Sequence, residues 1–269
     1  YPRCNLNEPL APCIAVSLKY LNVSSHGNTR KIAYCHDIPD KADLSILWLS
    51  GYHSVMNSTK ANAITEWARA QSIEMIRFDY SGLGESSGDF ATANLSQWLE
   101  EALAIYQQIK NRPTIIIGSS MGAWLALRLT ETLQNTQNVQ PKALLLLAPA
   151  VDFTHEVLLK KLPQTFIEQL NHIGEIAIPS QYDEAPLKFY QQFIKDADQH
   201  RLLNRSSTIT APISIIHGEK DPDIPLMLAI KAATHFKNTQ LTTINDGEHR
   251  LSREQDIDLI LKNLKDLAE

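Results

Sequence analysis

The stretch Pro113-Thr-Ile-Ile-Ile-Gly118-Ser-Ser120-Met-Gly122-Ala-Trp124 decides the fold of this chain. Its first five residues form a short apolar run rich in isoleucine, which is typical of a buried strand. The residues after Gly122 are rich in alanine and leucine as far as Leu133, which favours a helix. The intervening G-x-S-x-G spacing predicts a sharp strand-to-helix turn, because a Cβ at either glycine would crowd it.

A serine at the centre of such a turn has its Oγ exposed above the edge of the sheet. The N-terminus of the following helix directs free N–H groups to the same place, where they can stabilise a developing oxyanion. We therefore interpret Ser120 as a candidate nucleophile. The N–H of Met121, directly after it, is the first candidate donor of an oxyanion hole.

The composition of the chain limits its class of partners. It has 269 residues, of which 43% are hydrophobic and 20% charged, and a formal net charge of −5. This length suffices for one large α/β domain with a substantial core. A negative charge without a basic run argues against nucleic acid as a partner. The longest apolar stretch, Ala143–Val151, is about half a membrane span and contains Pro149, so we expect no stable membrane insertion.

The three cysteines, Cys4, Cys13 and Cys35, lack metal-ligand spacing, and their odd number does not suggest a disulfide framework. We expect reduced thiols in a cytoplasmic protein, with a Cys4–Cys13 bridge as the alternative. The sequence begins at Tyr1 without a methionine, so the mitochondrial matrix, after removal of a leader, is the alternative location. Ligand spacings for a metal or an organic cofactor are absent from the sequence, and we expect neither.

Strand and helix patterns alternate along most of the chain. A predicted antiparallel hairpin, Ile14–Val23 and Arg30–Asp37 around the spacer 24–28, comes first. Because apolar strands that alternate with amphipathic helices form parallel sheets, we expect an α/β fold with a mainly parallel central sheet and helices on both faces. The predicted strands are Leu44–Ser50, Glu74–Phe78, Thr114–Ile117, Ala143–Ala148, Ile213–His217 and Leu241–Ile244, and the predicted helices are Thr59–Gln71, Asn94–Lys110, Ser120–Leu133, Ile224–Thr234 and Arg253–Leu267.

One connection is much longer than the others. About sixty residues separate Ala148 from Pro212, where a crossover normally needs far fewer. We interpret residues 149–211 as a helical cap inserted in a single domain, 1–269, and lying over the carboxyl end of the sheet, where α/β proteins bind ligands. The helical patterns in the cap are His155–Leu162, Pro163–Asn171 and Glu184–Gln199.

A nucleophilic serine needs a histidine base oriented by a carboxylate, and in this fold type both follow later strands. The loop after the penultimate strand offers Asp221 and Asp223, with Glu219 a distant third. We favour Asp221, since Asp223 directly precedes a predicted helix and is explained by capping it. His249 lies on a Gly-containing loop after the last strand, and we predict it to be the base. We interpret His217 as structural.

The loop after the first predicted parallel strand reads Gly51-Tyr52-His53-Ser54 and would border the same site. Gly51 permits a tight turn, and the Tyr52 N–H is the predicted second oxyanion donor. We interpret His53 as part of the pocket wall rather than as a second base. Trp124, in the helix after the serine, is a further candidate for the pocket.

The segment from Arg77 to Gly84, Arg-Phe-Asp-Tyr-Ser-Gly-Leu-Gly, follows another predicted strand and could be mistaken for a Gly-rich nucleotide loop. It lacks both the G-x-G-x-x-G spacing and a lysine placed for a P-loop. We therefore interpret it as a structural turn in which Asp79 accepts hydrogen bonds from backbone amides.

These motifs, in this order and over nearly the whole chain, resemble the α/β-hydrolase superfamily. Several segments further resemble the mitochondrial palmitoyl-protein thioesterases that also deacylate acyl glucuronides, together with their bacterial relatives. The resemblance implies Ser120 as nucleophile, Asp221 as acid and His249 as base, in an enzyme that hydrolyses S-acyl or O-acyl bonds. The segments that carry the resemblance are 51–61, 77–84, 118–124, 178–182, 217–225 and His249.

We expect an ester or thioester hydrolase that acts on a small molecule or an acylated protein. The alternatives are a peptidase or carbon–carbon hydrolase, since fold and triad do not fix the bond that is cleaved, and a binding protein that has kept the fold. An acyl-glucuronide substrate would require a basic residue near the entrance, for which Arg250 and Lys188 are candidates. Apolar residues of the cap would favour a medium or long acyl chain if they face the site, although packing is the favoured interpretation. They are Val157, Leu158, Leu159, Leu162, Phe166, Ile167, Leu170, Ile173, Phe189 and Phe193.

Overall fold

The computed structural model describes residues 17–25, 27–109, 112–180 and 184–269. Its central sheet has eight strands in the order β1-β2-β4-β3-β5-β6-β9-β10. The first two pairs in that order are antiparallel, and all the others are parallel. The strands are β1 (Leu18–Ser25), β2 (Asn28–Asp37), β3 (Ser45–Leu49), β4 (Glu74–Phe78), β5 (Thr114–Ser119), β6 (Ala143–Leu147), β9 (Ile213–Gly218) and β10 (Thr239–Ile244).

Helices cover both faces of this sheet. Alternate residues of the central strands point to opposite faces, so that Ile116 packs with helices α2 and α3 whereas Ile115 packs with α1 and α8. Helix α7 packs on the same face as α2 and α3. The helices are α1 (Thr59–Ala70), α2 (Leu95–Tyr106), α3 (Met121–Gln137), α7 (Leu226–His235) and α8 (Glu254–Ala268). The predicted α/β fold with a mainly parallel sheet is thereby confirmed.

The predicted hairpin is present as β1 and β2, which pair in antiparallel register from Leu18↔Cys35 to Ser25↔Asn28. Its predicted first residues, 14–16, and His26 in the turn lie outside the described residues, as do Cys4 and Cys13. Cys35 is a buried free thiol in β2. In the described part of the chain, no helix combines the length and the apolar character needed to cross a membrane.

The connection between β6 and β9 contains a small second sheet as well as helices. Its elements are a π-helical turn Thr154–Leu158, α4 (Leu159–Lys161), α5 (Gln164–Ile173), β7 (Glu175–Ile178), β8 (Leu187–Tyr190), α6 (Gln191–Ala197) and a 3₁₀ turn Asp198–His200. The predicted helix Glu184–Gln199 was therefore wrong in its first half. Four residues of β8 are too few to show a period, and its antiparallel partner β7 is equally short. The division into one domain and a cap, 149–211, stays a prediction.

Two carboxylates, the buried Asp152 and the half-buried Asp196, hold this insertion in place. Asp152, near its start, is fully buried and accepts the N–H groups of Leu202 at 2.9 Å and Leu203 at 2.8 Å, near its end. Asp196 in α6 accepts both the N–H and the Oγ–H of Ser96 in the first turn of α2, at 2.8 and 2.7 Å. Asp152 thus ties the two ends of the insertion to each other, and Asp196 fixes its last helix to α2.

Candidate active site

Ser120 lies in the sharp turn between β5 and α3, with φ 54° and ψ −118°. Its N–H donates to the carbonyl of Leu147 at 2.8 Å, and its carbonyl accepts the N–H of Ala150 at 3.1 Å. A Cβ on Gly118 would lie 2.3 Å from the carbonyl oxygen of Gly122, and a Cβ on Gly122 would lie 2.1 Å from that of Leu49. The two glycines are therefore required because backbone atoms occupy the space of their side chains.

The structure brings Ser120, His249 and Asp221 together. The Nε2 of His249 lies 2.9 Å from the Oγ of Ser120, and its Nδ1 lies 2.7 Å from an Oδ of Asp221. Because a carboxylate only accepts, Nδ1 carries the proton and Nε2 accepts the hydroxyl of Ser120. The side chain of Asp221 is fully buried, whereas 16% of the His249 side chain is exposed. The three residues follow β5, β10 and β9, as the sequence predicts.

The two candidate acids occupy different places. Asp221 Oδ1 accepts the N–H groups of Asp223 at 2.9 Å and Ile224 at 2.8 Å, which leaves its Oδ2 for His249. Asp223 lines the cavity beside the site, and burial raises the pKa of its carboxyl. The predicted capping role of Asp223 was wrong, because α7 begins only at Leu226, after Pro225, without a side-chain cap.

A pair of glycines that the sequence analysis missed brings the acid loop and the histidine loop together. A Cβ on Gly218, at the end of β9, would lie 2.3 Å from the carbonyl oxygen of Gly247. That carbonyl accepts the N–H of Lys220 at 2.9 Å. The available signal was a glycine in each loop, His217-Gly218 and Asp246-Gly247, at the ends of strands that are neighbours in a parallel sheet.

Gly51, Tyr52 and Met121, which include both predicted oxyanion donors, line the cavity around Ser120. A Cβ on Gly51 would be 3.3 Å from that of Ser120, so the loop after β3 passes directly beside the serine. Donation by the Tyr52 and Met121 amides to an oxyanion stays a prediction. The Tyr52 hydroxyl donates to the carbonyl of Lys188 at 2.8 Å, and its ring stacks on Phe189 at 5.0 Å between centroids.

The predicted pocket residue His53 also lines the cavity. Its ring centroid lies 4.0 Å from that of Phe90 and 4.9 Å from that of Tyr52. Desolvation lowers the pKa of His53, which favours its neutral imidazole. The aromatic rings around His53 agree with its predicted place in the wall of the pocket.

A cavity of about 500 Å³ lies between Ser120 and the cap, and its walls are largely apolar. Half of the apolar cap residues noted in the sequence both pack in the main core, as the favoured interpretation has it, and line this cavity: Val157, Leu158, Leu162, Phe166 and Phe189. The other five, Leu159, Ile167, Leu170, Ile173 and Phe193, are not among the lining residues. The cap residues Ile178 and Leu187 and, beside the serine, Phe153 and Ile224 complete the apolar wall.

Two other residues expected at the site lie elsewhere. Trp124 is fully buried, and its Nε1 donates to the carbonyl of His200 at 3.0 Å. Its side chain therefore packs against the end of the insertion and does not line the cavity. Lys188 is exposed and pairs with Glu175 at 3.1 Å, outside the cavity. These placements correct both expectations.

Three cationic residues do line the cavity, namely Lys60, Lys161 and the predicted candidate Arg250. The ammonium of Lys60 donates to the backbone carbonyl of Arg250, the residue after His249. Burial lowers the pKa of Lys60 to about 8. The walls of the site therefore combine apolar side chains, largely from the cap, with a cationic side formed by Lys60 and Arg250 at the histidine loop and Lys161 in the cap.

Potential metal ligands meet at one place in the described part of the chain, where atoms of Asp221, Asp223 and His249 lie within 4.8 Å of one another. Two of these residues already bond each other, and the second nitrogen of His249 bonds Ser120. The geometry of the three residues is thus explained by hydrogen bonds among protein groups. The expectation that no metal or cofactor is needed stays a prediction.

The chain is similar to known hydrolases in sequence and in structure. The family model described as "Serine aminopeptidase, S33" (Hydrolase_4) matches residues 40–206. The human mitochondrial palmitoyl-protein thioesterase ABHD10 is 33% identical over 227 residues, which are 83% of this chain and 72% of that protein. A putative hydrolase from Agrobacterium vitis S4 is 34% identical, with a TM-score of 0.91 over 95% of this chain and 100% of its own. Mouse ABHD10 is 30% identical, with a TM-score of 0.83 over 94% of this chain and 98% of its own.

The close contacts at Gly122, in the sharp turn between β5 and α3, predict how one added methyl group affects stability. In Gly122→Ala the added Cβ would meet the backbone of Leu49, which cannot move without disturbing the sheet. We expect the free energy of unfolding to fall by about 3 kcal/mol or more, as for severe overpacking. Gly174→Ala is the matched control, because a Cβ there meets no atom within 4 Å and only its positive φ is strained. Equal losses in urea titrations of the two variants would contradict this account.

Proposed function

The chain belongs to the Hydrolase_4 (serine aminopeptidase S33) family of α/β-hydrolases and is a hydrolase, and on that premise we propose that it cleaves carboxylic ester or thioester bonds with Ser120 as nucleophile. The observation that supports this most is the hydrogen-bonded chain Ser120–His249–Asp221 at the base of an apolar cavity. This is the arrangement of nucleophile, base and orienting acid that acyl transfer needs.

In the proposed reaction, the Nε2 of His249 takes the proton of Ser120 as the Oγ attacks the acyl carbon. The N–H groups of Met121 and Tyr52 stabilise the oxyanion of the tetrahedral intermediate. When this intermediate collapses, the bond to the leaving alcohol or thiol breaks, and His249 returns the proton to it. A water then attacks the acyl-enzyme with His249 as base, and the acid is released. Throughout, Asp221 holds the imidazole in one tautomer and stabilises its charged form.

The walls of the cavity support an acyl chain as the group that is transferred. Apolar side chains of the cap form one side of the 500 Å³ space above Ser120. Similarity to the palmitoyl-protein thioesterase ABHD10 supports the same proposal. The cationic side, with Lys60, Lys161 and Arg250, suits a leaving group that carries negative charge. A medium or long acyl chain on a small anionic molecule or on a protein is therefore the proposed substrate class.

Peptide hydrolysis is the second candidate, because the matching family model is described as a serine aminopeptidase. An aminopeptidase would bind the substrate's ammonium group, and Asp223 is a carboxyl in the cavity that could accept it. Three cationic residues in the same cavity oppose this. Rates on matched ester, thioester and amide substrates of one acyl group separate the two candidates, since a peptidase would favour the amide with a free amino terminus.

The proposed nucleophile is tested by Ser120→Ala. We expect turnover of p-nitrophenyl octanoate to fall by about 10⁴-fold or more, because the residual rate would come from binding and the oxyanion hole alone. Covalent labelling by a fluorophosphonate probe should disappear. Ser119→Ala, which changes the neighbouring serine of the same turn, should still be labelled. An unlabelled wild-type protein would instead favour a binding protein that has kept the fold.

The two aspartates are distinguished by their contacts with His249. Asp221→Asn should lower kcat by about 10³-fold to 10⁴-fold, because an amide at this position favours the wrong tautomer of the imidazole. Asp223→Asn, which is isosteric and lies in the same loop, should lower kcat by less than about 10-fold, because Asp223 does not bond His249. The reverse order of effects in steady-state assays would refute the assignment of the acid.

The role of the cap is tested by acyl length. We expect kcat/KM to rise from acetyl toward longer chains, by up to about 4-fold for each CH₂ that is buried. Phe166→Trp, which fills the cavity, should reduce this rise for long chains while acetyl is unaffected. Ile173→Trp is the control on the same helix, at a side chain that is 70% exposed and does not line the cavity. A strict preference for acetyl esters would overturn the proposal of an acyl-chain cavity.

A further inference from the structure

A second histidine, His217, lies next to the proposed acid and takes no part in the mechanism above. It occupies the penultimate position of β9 and is fully buried, with 0% of its surface exposed. Its Nε2 lies 3.7 Å from the Oδ2 of Asp221, the oxygen that bonds His249. At this distance the contact is electrostatic rather than a hydrogen bond.

The backbone of one residue, Ile224, connects His217 to Asp221. The Nε2–H of His217 donates to the carbonyl of Ile224 at 3.0 Å, and the N–H of Ile224 donates to the Oδ1 of Asp221 at 2.8 Å. Since Oδ1 is held in this way, the carboxylate plane is set and Oδ2 faces His249. The loop residues Pro222, Asp223 and Ile224 also line the cavity, so the same contacts fix one wall of the site.

The charge state of His217 follows from its surroundings. Burial lowers its pKa, although the Asp221 carboxylate acts in the opposite direction, and the His249 ring lowers it further. Its Nδ1 is buried without a hydrogen-bond partner among the described residues, so a proton there would be an unsatisfied donor. A neutral ring with its proton on Nε2 donates to the Ile224 carbonyl. The negative charge of Asp221 then interacts with His249 alone.

We propose that His217 is a positioning residue: by holding the Ile224 carbonyl it fixes the orientation of Asp221 toward His249. The inference rests on the proposed function, because it assigns a role in the same hydrogen-bonded chain. It also gives the buried histidine a function that the fold alone does not require, since an apolar side chain would fill the same space.

The test compares His217→Leu, which removes the donor, with His217→Gln, whose side-chain amide can still donate to the Ile224 carbonyl. We expect His217→Leu to lower kcat/KM for p-nitrophenyl octanoate by about 10-fold to 100-fold, as for a displacement of a catalytic group by about 1 Å. The acidic limb of its pH–rate profile should move to lower pH, because an imidazolium with a poorly placed carboxylate loses its proton more readily. His217→Gln should restore most of the rate and the position of the limb.

His200→Leu is the matched control, because His200 is buried but bonds Ser96 and Arg128, remote from the triad. This variant should lose thermal stability without moving the acidic limb. A folded His217→Leu with wild-type kcat/KM and an unmoved limb would overturn the proposal, as would a folded His217→Gln that is as slow as His217→Leu. If His217→Leu does not fold, His217→Gln decides: a near-wild-type rate and limb support the proposal, and a slow, folded variant overturns it.

Ser120→Ala is measured in parallel so that the two proposals can fail separately. An active Ser120→Ala would refute the proposed function itself. An inactive Ser120→Ala together with a fully active His217→Leu would refute only the role of His217.

Discussion

The backbone conformation of Ser120 is the constraint on which the rest of the site depends. A non-glycine residue with φ 54° and ψ −118° costs on the order of 1–3 kcal/mol and persists only where its surroundings hold it. Here the backbone of Leu147 and Ala150 bonds it on one side, while close contacts at Gly118 hold β5 against α3 and those at Gly122 hold α3 against the end of β3. The serine hydroxyl therefore has a fixed direction before any substrate binds.

Asp221 and His249, the proposed partners of Ser120, are placed by the same kind of contact. Gly218 and Gly247 allow two neighbouring loops to touch through their backbones, and this brings His249 within reach of Asp221. The positions of Ser120, Asp221 and His249 thus depend on backbone contacts at the carboxyl edge of the sheet. The apolar side of the cavity is formed by cap side chains instead. The proposed chemistry and the proposed acyl selectivity would consequently depend on different parts of the chain.

The sequence predicted the sheet domain closely because its signals are local. The strand Glu74–Phe78 was predicted without error, and the other parallel strands were predicted within two residues. Asp79 accepts the amides of Met56 and Glu85, as its turn motif indicated. The pair β7–β8 was missed because each strand has only four residues, too few to show the alternation of a strand. The place of Trp124 was mispredicted because its position in α3, one turn after Ser120, does not determine what its side chain contacts. The side chain contacts the end of the insertion at His200 instead of the cavity.

Asp152 has a consequence for how such enzymes diversify. This one buried carboxylate joins the two ends of the insertion. The distance between the two points where the insertion leaves and re-enters the sheet is therefore fixed, whatever segment lies between them. The entropy of closing a loop grows only slowly with its length, so the enclosed segment can be lengthened, shortened or exchanged at small energetic cost. A natural or designed chimera that keeps this junction would therefore exchange the apolar wall of the cavity while the hydrogen-bonded chain Ser120–His249–Asp221 stays intact.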